Sequence, residues 1–151
     1  MLTNHLIVLY DRELKKLIEE LKAYPDQSKM WIIDKEINNS AGNLALHLIG
    51  NLRHFIGAIL GNSGFVRKRD LEFSHKDVPR KNLIKDIEET RKIVKEVLQE
   101  LTEDDLLAVY PVNLFDKPQS ASLYLVHFYG HLNYHLGQIN YHRRLLATPS
   151  K

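Results

Sequence analysis

Two histidines stand one helical turn apart in HLNYHLGQINYH, residues 131–142, and a third closes the stretch. On a helix of about 100° per residue, His131, His135 and His142 fall within about 40° of one another. His127 and Gln138 lie within about 40° on the other side of His131. Phe128, Leu132 and Ile139 occupy the adjoining arc, so these polar groups border an apolar stripe instead of facing water. The spacing of His131 and His135 lets both rings reach one cation. A second helical stretch places His47 between Leu44 and Leu48, with Asn51 one turn on and His54 two turns on, all on one side. Two helices therefore carry imidazoles where a core is expected.

The chain has no cysteine, so a metal must be held by His, Asp, Glu or carbonyl oxygen, and a thiol used in chemistry must arrive with a substrate. The zinc-protease pattern H-E-x-x-H needs a glutamate as general base; Leu132 stands there instead. The di-iron bundles need Glu-x-x-His on two helices; Glu72 to His75 offers one, in a stretch that reads as loop. A three-histidine site remains, its third ring coming from His47 or His54. Three neutral imidazoles leave a divalent cation its full charge and open positions. Such an ion lowers the pKa of water toward ~7 or binds and deprotonates a thiol. The plainer alternative is a set of core histidines, each satisfied by a hydrogen bond.

These residues must be positioned by helices, and four amphipathic segments of roughly 20 residues each supply them. The first runs from about Thr3, read as its N-cap, to Ala23. A connector follows with Trp31, Ile32 and Ile33, too apolar to be free and expected to pack as a lid or plug. The second runs from about Ser40 to Leu60 and stops at Gly61-Asn62-Ser63-Gly64. FVRKRDLEFSHKDVPRK is charged and aperiodic and reads as a long loop. The third segment spans about Arg80 to Leu101. A connector broken by Pro111 and Pro118 leads to the fourth, about Ala121 to Leu146, capped by Ser120. The expectation is all-α: one four-helix bundle domain over residues 1–151.

A formal net charge of +2 and the lack of a basic stripe point away from nucleic acid. MLTNHLIVLYDRELKK lacks the form of a signal peptide, and no apolar run approaches ~20 residues. A cytoplasmic protein without a membrane partner is expected.

LALHLIGNL (residues 44–52) followed much later by HLNYHLGQI (residues 131–139) resembles the DinB/YfiT-like superfamily, as do NNSAGNLALHLIGNLRHFI and RDLEF, over nearly the whole chain. The resemblance implies a four-helix bundle in up-down-down-up order, often a homodimer. It implies a metal triad of His47, His131 and His135, with zinc or nickel as the foremost ions. Its characterised members include S-transferases that use bacillithiol and a mycothiol-dependent isomerase. The function expected is thus a metal-dependent S-transferase joining a low-molecular-weight thiol to a small electrophile. A hydrolase on the same site is the alternative, and a non-catalytic metal-binding or structural bundle the rival. Asn51, His54, His127, Gln138 and His142 are candidates to support the ligands or line the pocket. His127 and His142 read more simply as spare core histidines, and Arg67-Lys68-Arg69 as a solvated loop, the alternative being that it steers an anionic thiol. No general base can be assigned.

Overall fold

The computed structural model describes residues 1–147. Helix α1 spans Leu2–Lys22 and buries Leu6, Tyr10, Leu14, Leu17, Ile18 and Leu21 at the spacing the sequence shows. Its start differs by one residue from expectation: Met1 is the N-cap. Thr3 lies inside the first turn, buried at 4% exposure, so it packs where a cap would face water. The connector forms a short 3-10 turn, Gln27–Trp31, capped by Asp26. Met30 plugs the core from it, while Ile33 is exposed. The Trp31 indole lies flat on Gly42, where a Cβ would come within 2.6 Å of the ring.

Helix α2, Ala41–Leu52, begins at Ser40, whose Oγ accepts from the Asn43 amide at 3.1 Å. It runs on to Leu60 as a π-helix, Arg53–Leu60. An apolar stripe only eight residues long does not separate an α from a π turn, which is why the sequence reads as one unbroken helix. The stretch read as loop holds a further helix, α3, Arg69–Ser74. Six residues are too few to show a period. Helix α4, Arg80–Glu100, buries Leu83, Ile87, Thr90, Val94 and Leu98. Short α5, Glu103–Leu107, is set by a capping box between Thr102 and Asp105; it too lies where a plain connector was expected. Helix α6, Ala121–His142, is capped by Ser120 and passes into a π turn, Arg143–Ala147.

Cross-helix contacts set the directions. Tyr10 Oη donates to the Leu125 carbonyl at 2.6 Å, and Tyr24 Oη lies 2.7 Å from His142 Nδ1; α1 and α6 therefore run the same way. Arg80 reaches the Tyr24 carbonyl and Arg91 reaches Asp11, so α4 opposes α1. Phe55 stacks on Phe128 while His47 meets His131, so α2 opposes α6. Arg53 bonds Thr90, and Gly61 sits against Val97, making α2 and α4 parallel. The core is filled by leucine, isoleucine and aromatic side chains from these four helices. No helix among the described residues is long and apolar enough to cross a membrane.

Candidate metal centre

Two elements bring the three histidines together. On α6, Phe128, Leu132, Leu136 and Ile139 are buried, and their packing turns the neighbouring arc, with His131 and His135, toward α2. On α2, burial of Leu44 and Leu48 turns His47 inward; it is 7% exposed. His47 Nε2 and His135 Nε2 each lie 3.1 Å from His131 Nε2. The three ligand atoms all lie within 4.8 Å of one another. The rings stand edge-on, at 72°, 85° and 90° between planes, so their nitrogens converge and the rings do not stack. Tetrahedral zinc with bonds of ~2.05 Å would set ligand nitrogens about 3.3 Å apart, close to the spacing seen.

The far nitrogens decide which tautomer is present. His47 Nδ1 lies 3.0 Å from Glu72 Oε1. An ionised carboxylate only accepts, so at this contact Nδ1 carries the proton and Nε2 is left with its lone pair; Arg67 Nη2 also lies 3.3 Å from Nδ1, but its shorter bond, at 2.8 Å, goes to Glu72 Oε1. His135 Nδ1 donates in the same way to Gln138 Oε1 at 2.7 Å. Two lone pairs thus aim at His131, which can offer a proton to only one of them. His131 Nδ1 is buried without a partner. Protein groups alone leave this trio short of a positive charge, and a divalent cation satisfies all three Nε2 atoms at once. Burial pulls the His131 pKa down to about 3, helped by the neighbouring His135, His47, His127 and Arg67. Burial also lowers that of His135, with His47 adding to it and the Gln138 bond opposing it. Neutral rings are the metal-binding form.

Behind His47 stands a support the sequence did not reveal. Glu72, on α3, is buried. Arg67 grips it with Nε to Oε2 at 2.9 Å and Nη2 to Oε1 at 2.8 Å. Burial raises the Glu72 pKa, but hydrogen bonds from His47 and Arg67 and the charges behind them outweigh that, so the net shift is downward. Gly50 makes room: a Cβ there would overlap the Glu72 carboxylate. The one legible hint was a glycine inside a helix, one turn from a candidate ligand.

The other candidates separate. Gln138 supports His135. Asn51 is buried with Oδ1 unpartnered, and His54, half-buried with Nδ1 unpartnered, does not join the cluster. His127 is exposed and rests on the Phe115 and Phe128 rings, so the expectation of a core residue is corrected: its side of α6 looks past the bundle. His142 is a buried structural histidine, bonded to Tyr24 Oη at 2.7 Å and to the Ile32 carbonyl at 2.9 Å. Arg67 is not a solvated loop cation, since its side chain is 11% exposed and paired to Glu72; Lys68 and Arg69 are exposed. A cleft of about 700 Å³ borders the centre, with His135 and Gln138 in its wall beside Leu44, Tyr134 and Tyr141.

Fold and site together define a helical bundle that carries a three-histidine cluster. A crystal structure of a DinB-like protein from Bacillus cereus ATCC 10987 matches with a TM-score of 0.69 and 22% identity, covering 92% of this chain and 90% of that one. The family model for proteins of unknown function DUF1572 matches residues 5–149, and the chain belongs to that family. No functionally curated protein matches it.

Proposed function

We propose that His47, His131 and His135 hold a divalent metal, zinc or nickel foremost, and that the protein is a metal-dependent enzyme transferring a low-molecular-weight thiol to a small electrophile. The observation that carries this is the convergence of three Nε2 atoms whose two outer rings are locked in the ligand tautomer. When bound, the cation supplies Lewis acidity that lowers the pKa of a thiol or water at its open positions. The chain's residues do the rest. Glu72 and Gln138 orient the outer rings and hold their protons on Nδ1. Leu44, Tyr134 and Tyr141 shape the cleft beside them.

A closed structural zinc site has four protein ligands. Among the described residues the cluster has three, which favours an open site over the purely structural rival. A thiol is favoured over water by the position of Glu72. It sits at the far nitrogen of His47, with both oxygens held by Arg67, and so is poorly placed to take a proton from water at the centre. A thiol on such a cation is deprotonated outright and needs no base, whereas bound water with a pKa of ~7 is only partly ionised. In the transfer its sulfur bonds the electrophilic carbon as the leaving group departs with the bonding pair.

The test uses protein purified without a histidine tag. One metal ion per chain is expected in the wild type and none in His131→Ala; unchanged stoichiometry overturns the site. Turnover of an electrophile such as monochlorobimane is then followed with bacillithiol, glutathione or cysteine, with and without metal. Activity confined to the metal-loaded protein with a thiol supports the transferase. Cleavage of esters or amides without any thiol replaces it with the hydrolase.

A further inference from the structure

We propose that the cleft beside the histidine centre binds a flat, largely apolar small molecule that is neutral or positively charged, and that Glu36 selects its charge. The proposal deepens the reading of the centre as a metal enzyme by naming the class of its second substrate. The volume, about 700 Å³, lies within the range of small-molecule sites. Leu44, Tyr134, Tyr141 and Leu145 give the wall its apolar surface, and Tyr134 and Tyr141 leave more than half of their own surface open. Asn38, Asn39 and Gln138 add hydrogen-bonding groups. Glu36 is the carboxylate of the lining, and no lysine or arginine belongs to it among the described residues.

Gly137 is the second observation. It lies inside α6, where glycine is the least favourable residue after proline. A Cβ at Gly137 would meet nothing within 4 Å, and its φ is not in the left-handed region. Gly42 and Gly50 each touch a neighbour that excludes a side chain; Gly137 has no such neighbour. It faces the cleft, and any larger residue would project into the volume. Gly130 on the same helix is equally free of neighbours but lies outside the cleft, so what sets Gly137 apart is its place in the wall.

The charge pattern divides the two substrates. A thiol such as glutathione brings carboxylates and would find Glu36 instead of a cation. Two guanidiniums lie nearby: Arg67 is spent on Glu72, and Arg144 rests 5.2 Å from the centre of the Tyr141 ring; neither lines the cleft. The cleft accordingly takes the electrophile.

The test uses three matched probes, 2-naphthylmethylammonium, 2-naphthylmethanol and 2-naphthoate, titrated calorimetrically into the full chain as purified and after chelation. The ammonium should bind about threefold tighter than the alcohol and about tenfold tighter than the carboxylate, as expected for one exposed ion pair. Glu36→Gln should remove the ammonium's advantage and leave the alcohol unchanged. Gly137→Phe should abolish binding of all three without lowering Tm. Equal or tighter binding of naphthoate, no binding of any probe, or unchanged affinity in Gly137→Phe overturns the proposal. Metal content is read separately. Probes that bind as stated to a chain that never holds metal keep the cleft and sink the metal reading; one metal per chain without that probe pattern does the reverse.

Discussion

Helix α6 carries two kinds of inward-facing histidine, His142 buried and His131 and His135 half-buried, and the chemical difference lies in what each ring nitrogen touches. His142 has both nitrogens met by protein: Tyr24 Oη at one and the Ile32 carbonyl at the other. It ties α6 to α1 and to the following connector. His131 and His135, about three and two turns earlier, have their Nε2 atoms aimed at each other and at His47. The same side chain on the same helix is closed in one place and open in the other. His47 is nearly as buried as His142, yet its Nδ1 is oriented by Glu72 and its Nε2 turns to the other two rings, so burial alone does not separate a candidate ligand from a structural histidine.

Exchanging the two kinds gives the largest effect. His131→Ala should lower metal affinity at least about a hundredfold while the fold persists, because the removed ring leaves two ligands of three. His142→Ala should do the opposite, keeping one metal per chain and losing about 2–3 kcal/mol of stability through a cavity and an unpaired buried Tyr24 hydroxyl. Metal analysis and urea unfolding of both variants check the pair. If His142→Ala lost metal and His131→Ala lost only stability, the distinction between open and closed rings would collapse.

Gly50→Ala sharpens the comparison from behind the ligand. The new methyl displaces the Glu72 carboxylate and leaves His47 Nδ1 without its acceptor. Metal affinity should fall about tenfold to a hundredfold. Alanine is the better helix former by about 1 kcal/mol, so a loss of affinity there would not reflect a weaker helix. Competition with a chromogenic chelator gives the number, and an unchanged affinity would show that Glu72 does not orient the ring.

The smallest effect belongs to a charge pair that only joins helices. Burial raises the Asp11 pKa, but hydrogen bonds from Lys15 and Arg91 outweigh it and leave the carboxyl below its usual value. A folded pKa below the unfolded one adds stability that is fully present above about pH 4 and is lost as pH falls through the folded value. Asp11 is 36% exposed in that pair, so solvent screening holds the contribution to a few tenths of a kcal/mol. Asp11→Asn should flatten the acid limb of the stability curve by that amount and leave metal content untouched. A metal loss in this variant would mean that the centre is coupled to α1 in a way its contacts do not explain.

The helices were legible because each of the four long ones repeats its apolar residues often enough to show a period. Short α3 and α5 were not, and α3 holds Glu72. The match between His131 and His135 was readable because four residues on a helix are about 6 Å apart along its axis. The choice between His47 and His54 was not readable from helix angle alone, since both fall on one side. Seven residues put His54 about 10 Å further along, and the packing of α2 against α6 sets His47 opposite His131.

Local spacing, then, determined by itself the helical elements and the pairing of two rings on one of them, because both follow from contacts within a turn or two of chain. Which third ring meets that pair, which carboxylate stands behind it and which arginine holds that carboxylate were decided by tertiary structure alone. Those contacts join residues 25 and 84 positions apart, His47 with Glu72 and His47 with His131, and no local pattern encodes a distance that only the packed core imposes.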